Sequence, residues 1–277
     1  MVGLRAGHPG PSCSGAAFLT LDGRVKPAHG DGMNYSSRFW LYAPITTFLL
    51  IACAVMAYWW VAAGALEKKL AALKGHEAVP GIMVDWTTAE VGGFPFRLDA
   101  DLTGLTVKGA GAHGPFVWRT EKFAAHTLTY NRTKVVYEAA GQQHASWSGA
   151  DGAAHEIDFL PGSLRASSVM RDHALVRADL DIANLAAKQT KIGRFQLHVR
   201  RNGHDMNLVL EADDANDIKQ VQVYVALSEG DAFAGLLRGE QSWPDAANAW
   251  RGQNGKATFS KVIAPGLDPA ALLSPLY

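Results

Sequence analysis

Histidine, cysteine and acidic side chains are the groups on which chemistry could be built in this chain, and their spacing argues against most of it. The ten histidines, among them His76, His113, His126, His144, His155, His173, His198 and His204, are scattered. They show neither H-E-x-x-H nor a close pair that would place two imidazoles on one face of a helix. His155-Glu156 and His204-Asp205 read as turn or surface residues, although a ligand set gathered from distant strands stays open at this level. Cys13 and Cys53 both precede the β-rich part, so no disulfide or thiolate site can form inside it. No G-x-S-x-G elbow, Walker loop or catalytic cysteine occurs there. Gly109, Gly111 and Gly114 match the spacing of a dinucleotide loop, but Pro115 and the strand-like FVWR follow where a helix would have to begin, so the stretch reads as a hairpin loop. No catalytic, cofactor-binding or metal-ligating residue is assigned. Twenty-six basic residues balance twenty-six acidic ones, which removes the electrostatic footprint of a nucleic-acid partner.

The strongest single signal is a span. Residues 39–66 carry no charge, and about 20 apolar residues suffice to cross ~30 Å of hydrocarbon. Trp40 and Tyr42 lie near one end and Tyr58, Trp59 and Trp60 near the other. At 1.5 Å per residue, Trp40 to Trp59 covers ~28 Å, the separation of two aromatic belts. Ala63, Gly64 and Ala65 offer a signal-peptidase site as the rival reading. Helix-forming residues nevertheless continue through Glu67, Lys68, Lys69, Leu70 and Leu73, which favours an uncleaved signal anchor. The predicted organisation is a non-native or disordered extension over 1–32, an anchor over 33–66, a juxtamembrane helix and hinge over 67–81, and a β-rich extracytoplasmic domain over 82–277. Met33 is the expected initiator, because the Gly- and Pro-rich stretch before it resembles peptides translated from repeats upstream of bacterial genes. The partners expected are the membrane bilayer and either a bound phospholipid or an envelope protein. The localisation expected is the inner membrane, single-pass, with the β domain in the periplasm.

Downstream of the anchor the chain alternates apolar and polar residues with the period of half-buried strands. In VGGFPFRLDADLTGL the residues Phe94, Phe96, Leu98, Ala100 and Leu102 fall on one face, and Arg97, Asp99 and Asp101 on the other. Gly92 and Gly93 permit a bend, and Pro95 lacks an N–H, so it belongs at an edge or bulge. Phe94 and Phe96 are expected to anchor this corner in the core. Arg97 is expected to be exposed or ion-paired beside Asp99 or Asp101, with a lipid-headgroup or partner contact as the alternative.

A transmembrane segment, a short Leu- and Lys-bearing helix, a strand and then Gly92, Gly93, Phe94, Pro95, Phe96 and Arg97, supported by Leu98 and Leu102, resemble a mainly Gram-negative bacterial family, domain of unknown function 2125. Tyr130-Asn131 and Ala249-Trp250-Arg251 before Gly255 fit its layout more loosely. The resemblance runs from about Met33 to the C-terminus. It implies an envelope protein and supplies no reaction, and the six motif residues are read as structural.

The remaining strands are expected at 123–130, 134–139, 143–147, 155–160, 164–170, 176–182, 195–199, 206–210 and 221–227, with helical pieces at 231–238 and 243–250 and a last strand in KATFSKVIA. This pattern is antiparallel, because a parallel sheet would show solid apolar runs. The fold class is mainly β: one N-terminal transmembrane helix, then a large antiparallel sheet, sandwich or open groove with two or three short helices. With few helices to cover the dry faces, the function expected is a membrane-anchored, non-catalytic domain that shelters lipid or binds a partner. A structural sandwich module and an envelope hydrolase are the alternatives.

Overall fold

A computed structural model describes residues 37–111, 113–149, 151–187, 190–214, 219–265 and 276. The expected extension with Cys13 and Met33, and the turn at Asp268-Pro269, lie outside the described residues. The chain divides into two compact units, Met1–Phe48 and Leu49–Tyr277. In the first, the described residues are the opening turns of helix α1 (Ser37–Leu73), which contains Pro44. The helix is long and apolar enough to cross a membrane, with a mean hydropathy of 2.0 in its most apolar window, and only 11% of that window is buried. A core helix of a soluble protein would hide most of it.

The second unit carries the rest of α1 and, among the described residues, thirteen strands. The helix runs without a break to Leu73, so the juxtamembrane helix expected after Leu66 continues the apolar span directly. The hinge expected over 75–81 is instead β1 (His76–Val79), which turns back into β2 (Ile82–Asp85). Gly75 and Gly81 adopt φ of 73° and 81°, and the Gly75 N–H already donates to the Val84 carbonyl at 2.8 Å. Two left-handed glycines thus let the chain enter the sheet at once. The other strands are β3 (Thr88–Gly92), β4 (Arg97–Gly111), β5 (Gly114–Leu128), β6 (Lys134–Ser148), β7 (Ala154–Phe159), β8 (Ser163–Arg171), β9 (Ala174–Ala187), β10 (Thr190–Asn202), β11 (Asp205–Asp214), β12 (Lys219–Leu227) and β13 (Ala257–Ile263).

Every pairing is antiparallel, and the strands form one hydrogen-bonded sheet ordered β1-β2-β4-β5-β6-β8-β9-β10-β11-β12-β13. No pairing among the described residues joins β1 to β13. The glycine pattern at 109–114 is the β4–β5 hairpin, as its sequence indicates.

A transverse crease crosses the first half of this sheet. β2 and β3 lie along the same edge of β4 and are interrupted at residues 86–87. Opposite the gap, Gly104 takes φ 62°. The β5–β6 register then slips between Thr120 and Lys122, facing Gly141 at φ 82°. Finally, β6 passes from β8 to β7 across residues 160–162. Each irregularity bends its strand and changes which alternate residues face inward. On β4 the buried set accordingly moves from Leu98, Ala100 and Leu102 to Leu105. Sequence alternation read β6 as two strands, 134–139 and 143–147; it is one strand bent at Gly141.

Three buried clusters hold the unit together. Ala62 and Ala63 of α1 pack on Leu98, with Trp59, Leu66 and Val91 around them. Leu70 and Leu73 pack in the crease on Trp86, Leu102 and Leu105. The largest cluster joins β11 and β12 to a 3-10 turn (Gly230–Phe233), α2 (Ala234–Arg238) and α3 (Trp243–Gly252). Ser242 caps α3 by accepting from the Asp245 N–H, and Pro244 stands in the first turn, where its missing N–H costs no helical bond. Phe233 stacks on Trp243 at 5.9 Å and lies 6.3 Å from Trp250. Trp250 is 0% exposed and donates its indole N–H to the Ser228 carbonyl at 2.7 Å.

A side chain of this size with no solvent access leaves a cavity that its neighbours cannot fill. Trp250→Ala is expected to cost about 3–5 kcal/mol, measured by denaturant unfolding of the detergent-solubilised chain. Trp250→Phe is expected to cost less, because most of the ring volume remains.

Candidate functional site

The register sorts the sheet into two chemically distinct faces. Successive cross-strand partners Phe123, Ala139, Leu164, Ile182, Phe195 and Ala212 form one apolar row. The next row on the same face reads Ala125, Tyr137, Ala166, Leu180, Leu197, Leu210 and Val223. The C-terminal helices cover part of this surface: α2 touches β9, α3 touches β4, and the cluster around Trp250 takes in Val199, Leu208, Leu210 and Val221. The last turns of α1 cover the part nearest β4.

Between these covers the described residues leave part of the face accessible. Tyr137, Leu164, Ala166, Leu180 and Ile182 belong to none of the three buried clusters and stay partly exposed. With Trp118, Phe123 and Phe159 they line an apolar cavity of about 370 Å³, within the range of small-molecule sites. Its aromatic wall is ordered: Trp118 meets Phe123 edge-on at 6.2 Å, and Phe123 stacks on Tyr137 at 6.1 Å. Trp118 and Phe123 are of opposite parity in the sequence, and both face inward because the crease lies between them. The polar atoms at this bend are already engaged. Gln143, 0% exposed, accepts from the Trp118 indole at 3.2 Å and donates to Thr120 Oγ1 at 2.8 Å and to the Gly141 carbonyl at 3.1 Å. The cavity therefore suits an apolar occupant.

The opposite face is a lattice of ion pairs. Arg194 clamps Asp181 through two bonds of 2.8 Å. Arg177 and His198 donate to Asp179 at 2.5 and 2.6 Å. Arg97 and His126 donate to Asp99 at 2.6 and 2.8 Å. Burial pushes the Asp99 and Asp179 carboxyls up, but their Arg and His hydrogen bonds and charges outweigh it and hold both below the usual carboxylate range. For Asp181 the hydrogen bond from Arg194 comes first, and its pKa is likewise lowered.

Ser167, Asp179 and His198 are cross-strand neighbours on β8, β9 and β10, and Ser167 donates to Asp179 at 3.3 Å. The order is wrong for a nucleophile. The carboxylate sits in the middle, so serine and imidazole are two strand spacings apart, roughly 9–10 Å, and no base reaches the hydroxyl. Among the described residues no group of three His, Cys, Asp or Glu side chains could hold a metal ion.

The motif residues meet at the corner where α1 joins the sheet. Gly92 ends β3, Arg97 begins β4, and residues 93–96 form a turn with a cis Phe94–Pro95 peptide. Gly93 has φ 93°, and a Cβ there would lie 2.9 Å from the Arg97 backbone and from an Asp99 carboxylate oxygen, so the position admits only glycine. Phe94 and Phe96, expected in the core, are 53% and 60% exposed, because the strand starts after them. Arg97 is the exposed, ion-paired residue expected, with Asp99 as partner. Sequence reasoning did not find Trp118, Gln143 and Phe159. The aromatic side chains in FVWR and IDF were visible, but their convergence depends on the crease.

A sign follows for acid stability. A carboxyl held below its unfolded value contributes stability that is complete above about pH 4 and lost as pH falls through the lower folded value. The unfolding midpoint is therefore expected to hold between pH 7 and about pH 5 and to decline below about pH 4. Asp99→Asn is expected to flatten the acid limb, which a pH series of thermal unfolding measures.

No curated protein and no solved structure matches the chain. A family model described as an uncharacterized protein conserved in bacteria (DUF2125) matches residues 59–268. The matched stretch is well over half of the sequence, begins at the tryptophan of the helix–sheet corner and encloses both faces of the sheet. The protein therefore belongs to this bacterial family.

Proposed function

We propose that the protein is an inner-membrane-anchored, non-catalytic envelope protein whose apolar sheet face shelters the acyl chains of a phospholipid. Residues 33–66 serve as the anchor, and the β domain, which starts at His76, faces the periplasm. The observation that carries this reading is the apolar cavity of about 370 Å³ between the covers of α1 and α2–α3. Each Å² of apolar surface removed from water is worth about 25 cal/mol, so an acyl chain lying on Leu164, Ala166, Leu180 and Ile182 gains what the protein's own helices leave ungained. The engaged amides and hydroxyls around Gln143 leave no polar demand that such a chain would frustrate.

The full chain, extracted in mild detergent and freed of loose lipid, is expected to retain phospholipid in native mass spectrometry. Ala166→Trp fills the cavity and is expected to lose that lipid while the far-ultraviolet circular dichroism stays unchanged. Lipid-free wild-type protein, or equal lipid retention by the variant, would refute the proposal. A stoichiometric protein partner in place of lipid would favour the interaction-module reading.

A further inference from the structure

The turn of residues 93–96 and the loop of residues 130–133 present aromatic side chains that the core does not use. Phe94, Phe96 and Tyr130 are 53%, 60% and 72% exposed, and Leu128 and Trp60 beside them are exposed as well. Apolar side chains gathered in this way on a soluble surface call for a partner. The placement of the two loops identifies it.

Both loops are tied to α1 at the level where its aromatic cluster lies. Tyr58 donates its hydroxyl to the Thr129 carbonyl at 3.0 Å, and the Trp59 indole donates to the Arg97 carbonyl at 2.8 Å. Phe94 meets Trp59 edge-on, with ring centroids 5.4 Å apart. One turn further along the helix, Ala62 and Ala63 are already buried on Leu98. Tyr and Trp at the end of an apolar span mark the membrane–water boundary, so these bonds set the depth of the loops as well as that of the helix.

The loops are also tied to each other. Thr129 donates both its N–H and its hydroxyl to the Phe96 carbonyl at 3.0 Å. The Arg97 N–H closes the turn onto the Gly93 carbonyl at 2.9 Å. The Asn131 carboxamide oxygen accepts from the Thr133 N–H at 3.2 Å and from its hydroxyl at 2.6 Å. These bonds brace the base of each loop, which lowers the conformational entropy the tips lose on meeting a second surface. Arg97, Arg132 and Lys134 are exposed around them. Arg97, which is paired with Asp99, also lines with Asn131, Lys134 and the carboxylate Glu138 a hollow of about 420 Å³ on the polar face. Cationic groups ringing apolar tips match the layering of a bilayer, with phosphate outside and hydrocarbon within.

We infer that the tips at residues 93–96 and 130–133 form a second membrane contact, a rigid aromatic wedge seated in the interfacial layer of the bilayer that α1 crosses. The inference rests on the anchor reading above. It gives the Gly-Gly-Phe-Pro-Phe-Arg motif a role: the glycine turn aims Phe94 and Phe96 out of the sheet, and Arg97 joins that turn to Asp99. Two attachments at one depth hold the β domain against the membrane instead of leaving it to swing on a single helix.

The test uses the full chain in vesicles of phosphatidylethanolamine and phosphatidylglycerol, with a single environment-sensitive fluorophore on cysteine and nitroxide-bearing lipid as quencher. Cys13→Ser leaves Cys53 to report on the anchor. Adding Cys53→Ser and then Phe94→Cys, Tyr130→Cys or His113→Cys places the label on either tip or on the far hairpin of β4 and β5. Labels at 53, 94 and 130 are expected to be blue-shifted and quenched, and the label at 113 to be neither. Quenching at 53 with none at 94 and 130 overturns the wedge and leaves the anchor standing. No quenching at 53 overturns both. Equal quenching at 113 overturns the wedge, because the contact would then not be specific to the tips.

Discussion

A wide antiparallel sheet with one apolar face must cover that face, and the supply of cover governs this structure. The dry rows run from β4 to β12 without a break. Among the described residues the cover comes from the last turns of α1 and from the 3-10 turn, α2, α3 and Leu276. The crease is what lets so little helix serve so much sheet. It bends β4, β5 and β6 where Leu70 and Leu73 arrive, so that Trp86, Leu105 and Trp118 converge on the helix with Leu102 and Phe123. A flat sheet of the same sequence would turn half of these side chains to solvent, because the parity of inward residues changes across Gly104 and Gly141.

The glycines at the crease answer to local contacts. A Cβ at Gly104 would lie 2.6 Å from Thr87 Oγ1, and one at Gly141 would lie 2.1 Å from a Glu121 carboxylate oxygen. At the other end of the unit, a Cβ at Gly255 would lie 2.2 Å from the Trp250 indole. Glycine thus recurs where a bend or a ring needs the space of the missing methylene. The covers at either side are built tightly through these positions, and the middle of the apolar face stays partly exposed among the described residues.

Much of the apolar face was legible before any coordinates. Alternation in residues 176–182, 195–199, 206–210 and 221–227 placed Leu180, Ile182, Phe195, Leu197, Leu210 and Val223 on one side, where the register puts them. Alternation misled at the opening motif, because the turn at residues 93–96 preserves even parity and Phe94 and Phe96 look like a continuation of Leu98. It also missed β1, whose four residues are too few to show a period beside Pro80 and Gly81. The acidic residues of the wet face were visible as such, but their partners were not. Asp99 meets His126 and Asp179 meets His198 across 27 and 19 residues of chain, separations that only the strand register determines.

The two faces explain each other. On the polar side each of Asp99, Asp179 and Asp181 is held by an arginine, so its charge is compensated where it stands. Asp179 is shared by Arg177, His198 and Ser167. Such pairing suits a surface that braces neighbouring strands, and Asp213, whose Oδ1 is buried without a hydrogen-bond partner, is the exception among the described residues. The apolar side has the opposite character: its polar atoms near the cavity are paired internally, and its carbon surface is left over. The charges of Asp99, Asp179 and Asp181 are thus engaged on their own and neighbouring strands, while Leu164, Ala166, Leu180 and Ile182 on the other face stay partly exposed. This asymmetry between the two faces, more than any single residue, is what the proposed lipid-sheltering role rests on.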